Sequence, residues 1–410
     1  MNKQRLFVTC CLSLVTTSMS FALRGAVAND MAAAFHISNE QMGLVWTPAS
    51  WAFAIAIVAG GALVDFVGMR RLHALSGAGY IVGVLMVTLA PQPGAPVVSL
   101  FDNLGTTMLY AGFLIMGLSQ GLVEGVINPL TVSVYPEEKT RRLVMLHAWW
   151  PGGQIIGGLL AVALTSLLHA SWQLKLSLIA VPAAVYLTMA LTTRYPPTER
   201  VASNVSTAEM WRQLARPLFI VMLFCNGMAA AVELGPDQWF PKVMGDLIPQ
   251  MQGVVFLVYT AGLMFIIRTF ASGVSQKSPV GTLLVCSILT SAGLFWLGGL
   301  GLGASPVVAF AAATIFGIGK TYFSPTMMGI LSEQLPRGGA LVMSIMGGAG
   351  MLSVAIAVPA IGGRIDKLGP GAALQMMAWL GVILAALYGA MWLYFQSRGG
   401  YKAVRLGGGH

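Results

Sequence analysis

The sequence predicts an all-α polytopic membrane protein, and three observations carry that prediction. Of its 410 residues, 56% are hydrophobic and only 9% are charged, with a mean hydropathy of +0.77. Soluble domains carry about 25% charged residues, so this chain has too few charges to cover a globule in water. Apolar runs of roughly 20 residues, the length a bilayer demands of a helix, recur from end to end. The basic residues gather on alternate connections between those runs, which assigns the net charge of +9 to orientation in a membrane rather than to a nucleic-acid partner.

Hydropathy with Gly and Pro punctuation gives twelve candidate helices. The apolar run after Met1–Arg5 has the look of a secretion signal, but it is long enough to span and is read as a retained first helix. The first six helices cover 6–30, 42–65, 72–91, 106–135, 143–168 and 172–193; the second six cover 217–242, 251–274, 279–302, 306–333, 339–362 and 371–396. Residues 1–193 therefore form one six-helix bundle and 217–396 a second. Residues 194–216, with Pro196, Pro197, Glu199, Arg200 and Ser203, form a polar linker, and 397–410 a short tail.

Placing both termini in the cytoplasm puts sixteen Lys and Arg residues inside and only Lys175, Lys242, Arg364 and Lys367 outside. A multi-pass protein of a bacterial-type inner or plasma membrane, monomeric in the bilayer, is the expectation. The cysteines Cys10, Cys11, Cys225 and Cys286 all lie in apolar runs without metal-ligand spacing, and read as small buried hydrophobes. No Ser-His-Asp set, metal cluster or nucleotide-binding loop is present, so the expectation is no enzyme, no cofactor and no ATP-driven pump. Energy then comes from an ion gradient, of protons or of sodium, or from substrate exchange. Two related six-helix halves are a transporter layout, with the substrate site near the midplane between them.

Two motifs carry a family resemblance. Gly61-Ala-Leu-Val-Asp65-Phe-Val-Gly68-Met-Arg70-Arg71 lies in the connection between helices 2 and 3. It resembles the loop signature of the major facilitator superfamily. That resemblance implies two six-helix bundles working by alternating access, with Asp65, Arg70 and Arg71 as gating residues rather than substrate ligands. The matching segment of the second half, Arg268 to Gly281, keeps Arg268 and Gly273 but no Asp. Further on, helix 4 reads Gly121-Leu-Val-Glu124-Gly-Val-Ile-Asn128-Pro129, then Arg141-Arg142-Leu143 and His147-Ala-Trp149-Trp150-Pro151-Gly152-Gly153. This is similar to the fucose:proton symporter branch, and it implies that Glu124 belongs to a substrate and proton site. The chain departs from that branch in helix 1, where Arg24-Gly25 stands in place of an acidic residue. A helix-1 Arg with a helix-4 acid resembles the anion:cation symporter branch instead, although Leu23 precedes Arg24 where that branch has an acid.

Charges at bilayer depth cost about 2.5–3.5 kcal/mol on insertion scales, so those retained usually line a cavity or are paired. Glu124 shares a helix-4 face with Gln120 and Asn128. It reads as a proton carrier or substrate ligand, or as an interhelical tie. Arg24, on a face with Thr17 and Ser20, reads as an anion-recognising guanidinium, as a partner of Glu124, or as a cation reaching for the outer headgroups. Lys320 lies well inside helix 10, beside a Pro325 kink whose freed carbonyls could face a cavity. It reads as a cavity cation or as the partner of Glu233. Glu233, on a face with Asn226, reads as a site acid on a helix 7 broken near the outer gate, or as an outer-loop acid. His147 reads as a proton relay or a structural histidine, and Arg268 as a gate latch or a ligand. Trp51 and Tyr259, with Trp46, read as stacking platforms for a sugar ring or as packing residues. The function these features favour is proton-coupled uptake of a small polar metabolite, a sugar or a sugar acid or other organic anion. The alternatives are a proton-driven exporter, for which Pro151, Gly152, Gly153, Gly157 and Gly158 in helix 5 are suggestive, and a non-transporting receptor on a transporter scaffold.

Overall fold

The computed structural model describes residues 2–135, 142, 145–196, 212–271, 278–335 and 339–402. The described chain is built of helices: α1 (Lys3–Ala26), α2 (Ala28–Phe35), α3 (Asn39–Val67), α4 (Met69–Thr88), α5 (Leu104–Val134), α6 (Trp149–Leu168), α7 (Trp172–Ser177), α8 (Ala180–Thr192), α9 (Pro217–Leu247), α10 (Val254–Phe270), α11 (Pro279–Gly298), α12 (Pro306–Lys320), α13 (Phe323–Gln334), α14 (Gly339–Leu368) and α15 (Pro370–Ser397). Among the described residues eleven spans are long and apolar enough to cross a membrane, and α10 adds a shorter apolar helix of 17 residues. These make the twelve membrane helices of two six-helix bundles, the first from α1 to α8 and the second from α9 to α15. Most of the expected linker and tail, Asp65's side chain, and Lys139, Arg141, Lys277, Arg337 and Arg405 lie outside what is described.

Small residues set the helix contacts, because lipid gives no hydrophobic drive for helix association and close approach must supply it. On α5, Gly117 and Gly121 recur one turn apart and face α3. A Cβ on Gly117 would sit 2.7 Å from the Ala49 Cα, and one on Gly121 would sit 2.5 Å from the Phe53 carbonyl oxygen. The two halves meet chiefly where α3 packs along α14 and α6 along α10, and where α1 crosses α9.

At the end of the bundle away from the termini, the halves are tied. Ser38 caps α3 with a full capping box, and the Asp366 carboxylate of α14 accepts from Asn39 N at 3.3 Å, Asn39 Nδ2 at 2.5 Å and Glu40 N at 2.8 Å. Trp46 of α3 meets Trp239 of α9, ring centroids 5.1 Å apart, and the Gln238 amide reaches the Phe21 carbonyl at 3.5 Å.

Proline explains where the helices depart from the sequence expectation. Helix 6 divides into α7 and α8 because Pro182 has no N–H for the Leu178 carbonyl. Helix 10 divides into α12 and α13 at Thr321–Tyr322 because Pro325 has none for the Thr321 carbonyl. Helix 1 was expected over 6–30 but stops at Ala26. Val27 leaves helical geometry there, and α2 runs on as a separate piece. Helix 7, expected to break near Pro236 and to end at 242, instead continues through Pro236 and Pro241 to Leu247.

Candidate functional site

The polar stripe of α1 faces inward, as its spacing predicts, but most of it is spent on neighbouring helices. Thr17 accepts from the Tyr80 hydroxyl at 2.8 Å, and Ser20 accepts from Gln120 Nε2 at 3.0 Å. Gln120 is thus an interhelical tie, although its Oε1 is buried without a donor. Arg24, one turn beyond Ser20, is only 1% exposed, which rules out an arm reaching for headgroups. Its guanidinium lies 4.4 Å from the Phe21 ring centroid and 5.8 Å from that of Phe113. Among the described residues it has neither a hydrogen-bond acceptor nor an ion-pair partner, and its Nε is fully enclosed. The expected Glu124 partner is not joined to it. The Tyr80 phenol lies within electrostatic reach of both charges. A guanidinium presents five donors in a planar fork, and ring faces satisfy its charge only in part.

Glu124 heads a chain of three side chains. Asn128 Nδ2 donates to its Oε2 at 3.2 Å and to its backbone carbonyl at 3.3 Å, and Asn128 Oδ1 faces His147 Nε2 at 2.9 Å. With the amide nitrogen committed to the carboxylate, the amide oxygen must be the acceptor, so His147 carries a proton on Nε2. Glu124 and Asn128 meet because four residues make one turn of α5. His147 joins them from the helical residues 145–147 just before α6. The relay and structural alternatives for His147 therefore converge on one hydrogen-bonded set.

The second half holds two acid–base pairs between α9 and its neighbours. Lys320 Nζ donates to both carboxylate oxygens of Asp237, at 2.5 Å and 2.7 Å, with side-chain exposures of 0% and 2%. The anticipated Lys320–Glu233 pair is corrected here: the partner is Asp237, one turn further along α9. Glu233 is paired with Arg268 Nη2 at 3.8 Å. Arg268 also donates through Nε to the Thr321 carbonyl at 2.8 Å, the very carbonyl that Pro325 leaves free. Its described contacts lie within its own bundle, where it bridges the break in helix 10. Glu233 is 5% exposed, and an outer-loop acid is ruled out. Asp237 is the residue that reading the sequence missed; its spacing of four from Glu233 and the depth of Lys320 were the available signals.

The remaining candidates are separated from these sets by their own bonds. Asn226 donates to the Met346 carbonyl at 2.9 Å and ties α9 to α14. Tyr259 shares a hydrogen bond of 2.7 Å with Thr314 and packs edge-on against Phe310 at 5.0 Å, a packing role. Trp51 is half-buried on α3. Arg70 is exposed and donates to the Leu191 carbonyl, and Arg71 is exposed. Among the described residues no group of three or more His, Cys, Asp or Glu side chains could hold a metal ion.

The family model described as Major Facilitator Superfamily matches residues 8–338. Comparison with curated proteins found no match. Solved structures similar to this chain include the D-xylose-proton symporter (14% identity, 94% of this chain and 96% of that one, TM-score 0.78). They also include the xylose transporter XylE from E. coli in a partially occluded inward open conformation (13%, 95% and 97%, TM-score 0.76). The nucleoside transporter NupG is similar at 15% identity over 95% of this chain and 99% of that one, with a TM-score of 0.71.

Proposed function

From the premise that this chain belongs to the major facilitator superfamily and is a transporter, we propose that it takes up a small polar anion, a sugar acid or a comparable carboxylate, by proton-coupled alternating access. The observation that carries this reading is Arg24: a buried guanidinium with no protein acceptor among the described residues. A charged group left unsatisfied in a low-dielectric interior costs several kcal/mol, and a substrate carboxylate is the ligand that removes the cost in a bidentate contact. Solved transporters of this fold whose titles name D-xylose with protons, and nucleosides, support a small polar solute and proton coupling.

Glu124, with Asn128 and His147, is the proton-responsive set of the first half. The distribution of Lys and Arg supports cytoplasmic termini, so the Asn39–Asp366 end faces outward and is closed in this conformation. Asp65, Arg70 and Arg71 then belong to the opposite, cytoplasmic gate. Export of cationic compounds is disfavoured, because an unpaired guanidinium repels them.

The test is transport in proteoliposomes carrying an inward proton gradient, with labelled D-glucuronate and its neutral counterpart, methyl glucoside. The account predicts accumulation of the acid that collapses with a protonophore and is lost in Glu124→Gln. Full gradient-driven accumulation by Glu124→Gln would remove Glu124 from proton coupling.

A further inference from the structure

Among the described residues, the ionic side chains of the membrane-spanning helices include Arg24, Arg268 and Lys320 against Glu124, Glu233 and Asp237. Arg24 has no carboxylate partner among the described residues. Lys320 has one, because both oxygens of Asp237 hold its ammonium at 2.5 Å and 2.7 Å. Yet this pair stands beside the contact between the halves. Gln238, the next residue, reaches the Phe21 carbonyl of α1, and Trp239 meets Trp46 of α3. Arg24 is one turn from Phe21 on the same helix, with its guanidinium over that ring. Lys320 itself ends α12 where helix 10 breaks, its Nζ 4.9 Å from the centroid of the Phe316 ring. A break in a membrane helix is where a side chain changes partner at least cost, since the regular hydrogen-bond ladder is already interrupted.

We propose that Asp237 is a specificity-determining residue: it masks Lys320 while ionised, and its protonation releases the ammonium to a substrate anion. The inference rests on the anion reading of the site. The electrostatics run in one direction. With Asp237 charged, an arriving carboxylate puts two anions on one ammonium at bilayer depth, with Glu233 only one turn away on α9. With Asp237 protonated, Lys320 exchanges one carboxylate for another and the local charge is conserved. The proton resides on the Asp237 carboxyl, and Lys320 stays an ammonium throughout.

The acid that faces this pair is Glu233, which lies within electrostatic reach of Lys320 and Asp237 and is itself held by Arg268 of α10 at 3.8 Å. Tyr322 and Cys286 lie within reach of Arg268. Tyr388 of α15 lies within reach of Glu233. Binding of anion and proton is therefore positively linked, each raising the affinity for the other by the same factor. While Asp237 has to be protonated before the anion binds, affinity rises by about tenfold per unit fall in pH.

The experiment has two arms on purified protein in detergent. The first needs no substrate: infrared difference spectra between alkaline and acidic buffer. Wild type gains the carbonyl stretches of neutral carboxyl groups; Asp237→Asn lacks one component of them, and Glu124→Gln keeps that component. The second is thermal shift with D-glucuronate. Wild type is stabilised in acidic buffer and much less in alkaline buffer, while Asp237→Asn retains more of its stabilisation in alkaline buffer, because Lys320 is permanently released and only the Glu124 contribution to the pH dependence is left. Should Asp237→Asn fail to fold with a bare ammonium inside it, the double variant Asp237→Asn with Lys320→Met removes both charges. It lacks that component and the part of the acid-dependent shift that Asp237 contributes. Neutral-carboxyl bands of Asp237→Asn identical to those of wild type, or a pH dependence of the shift as steep as in wild type, overturn the proposal. The absence of any stabilisation by D-glucuronate in wild type and both variants overturns instead the reading of the site as an anion site, and the masking role falls with it.

Discussion

Replacing Asp366 with alanine removes the one carboxylate that ties α14 of the second half to the start of α3 in the first. It accepts three hydrogen bonds, from Asn39 N, Asn39 Nδ2 and Glu40 N, and it sits at the positive end of a helix. A carboxylate at a helix N-terminus contributes about 0.3–1 kcal/mol, and hydrogen bonds to charged groups about 1.5–3 kcal/mol before any discount. Asp366 is exposed, so solvent screens these contacts and only a fraction of that sum survives. A net loss of about 1.4 kcal/mol from the closed state follows, which multiplies the fraction open at that end about tenfold. The reporter is a cysteine at Gln238, which is 3% exposed beneath the tie, while the four native cysteines are buried. The rate at which Gln238→Cys reacts with a membrane-impermeant maleimide should rise about tenfold in the Asp366→Ala background, in line with that shift. Lys367→Ala, next to the tie, should leave it unchanged. An unaltered rate in Asp366→Ala would refute the claim that this contact holds the end shut.

Three further outcomes follow from the packing and pairing. Lys320→Met alone strands the Asp237 carboxylate and should cost about 3–5 kcal/mol, whereas adding Asp237→Asn restores most of it; thermal midpoints of the two variants check this, and equal midpoints would contradict it. Gly121→Val drives side-chain atoms into the Phe53 carbonyl and the Ala56 Cβ, each 2.5 Å from where a Cβ would stand, and overpacking of this kind costs about 1–3 kcal/mol. Its midpoint should fall well below that of Gly262→Ala, where nothing lies within 4 Å of the added atom. Pro325→Ala returns a donor to the Thr321 carbonyl and frees Arg268 from it, so the resistance of the helix-10 break to proteolysis or hydrogen exchange should rise; unchanged exchange at Thr321 and Tyr322 would count against the assigned role of Arg268.

The membrane class, twelve helices and their grouping into two bundles were legible because length and hydropathy alone decide whether a segment can span. The Glu124–Asn128 pair was legible too, since a spacing of four on a helix puts both side chains on one face. Three features were not. Continuity of α9 through Pro236 and Pro241 leaves the Val232 and Asp237 carbonyls without their helical N–H donors, and local rules, which end a helix at such a proline, do not encode that α9 runs on. The partner of Lys320 lies 83 residues away, and Glu233 and Asp237 sit on one face of α9, so choosing between them needed the rotation of α12 against α9. Arg268 reads, from its position near a helix end, as a gate latch or a ligand. Its task became visible only when Pro325 was seen to release the carbonyl that it binds.

The most direct test of an anion site built on Arg24 is the thermal midpoint of purified protein with a neutral aldose, D-glucose, and with its matching acids, D-gluconate and D-glucuronate. A ligand at a hundred times its dissociation constant stabilises the folded state by about 2.7 kcal/mol, enough to move the midpoint measurably. The account predicts stabilisation by at least one of the acids, none by glucose, and loss of the effect in Arg24→Ala. Stabilisation by glucose alone, or by the acids undiminished in Arg24→Ala, would contradict it.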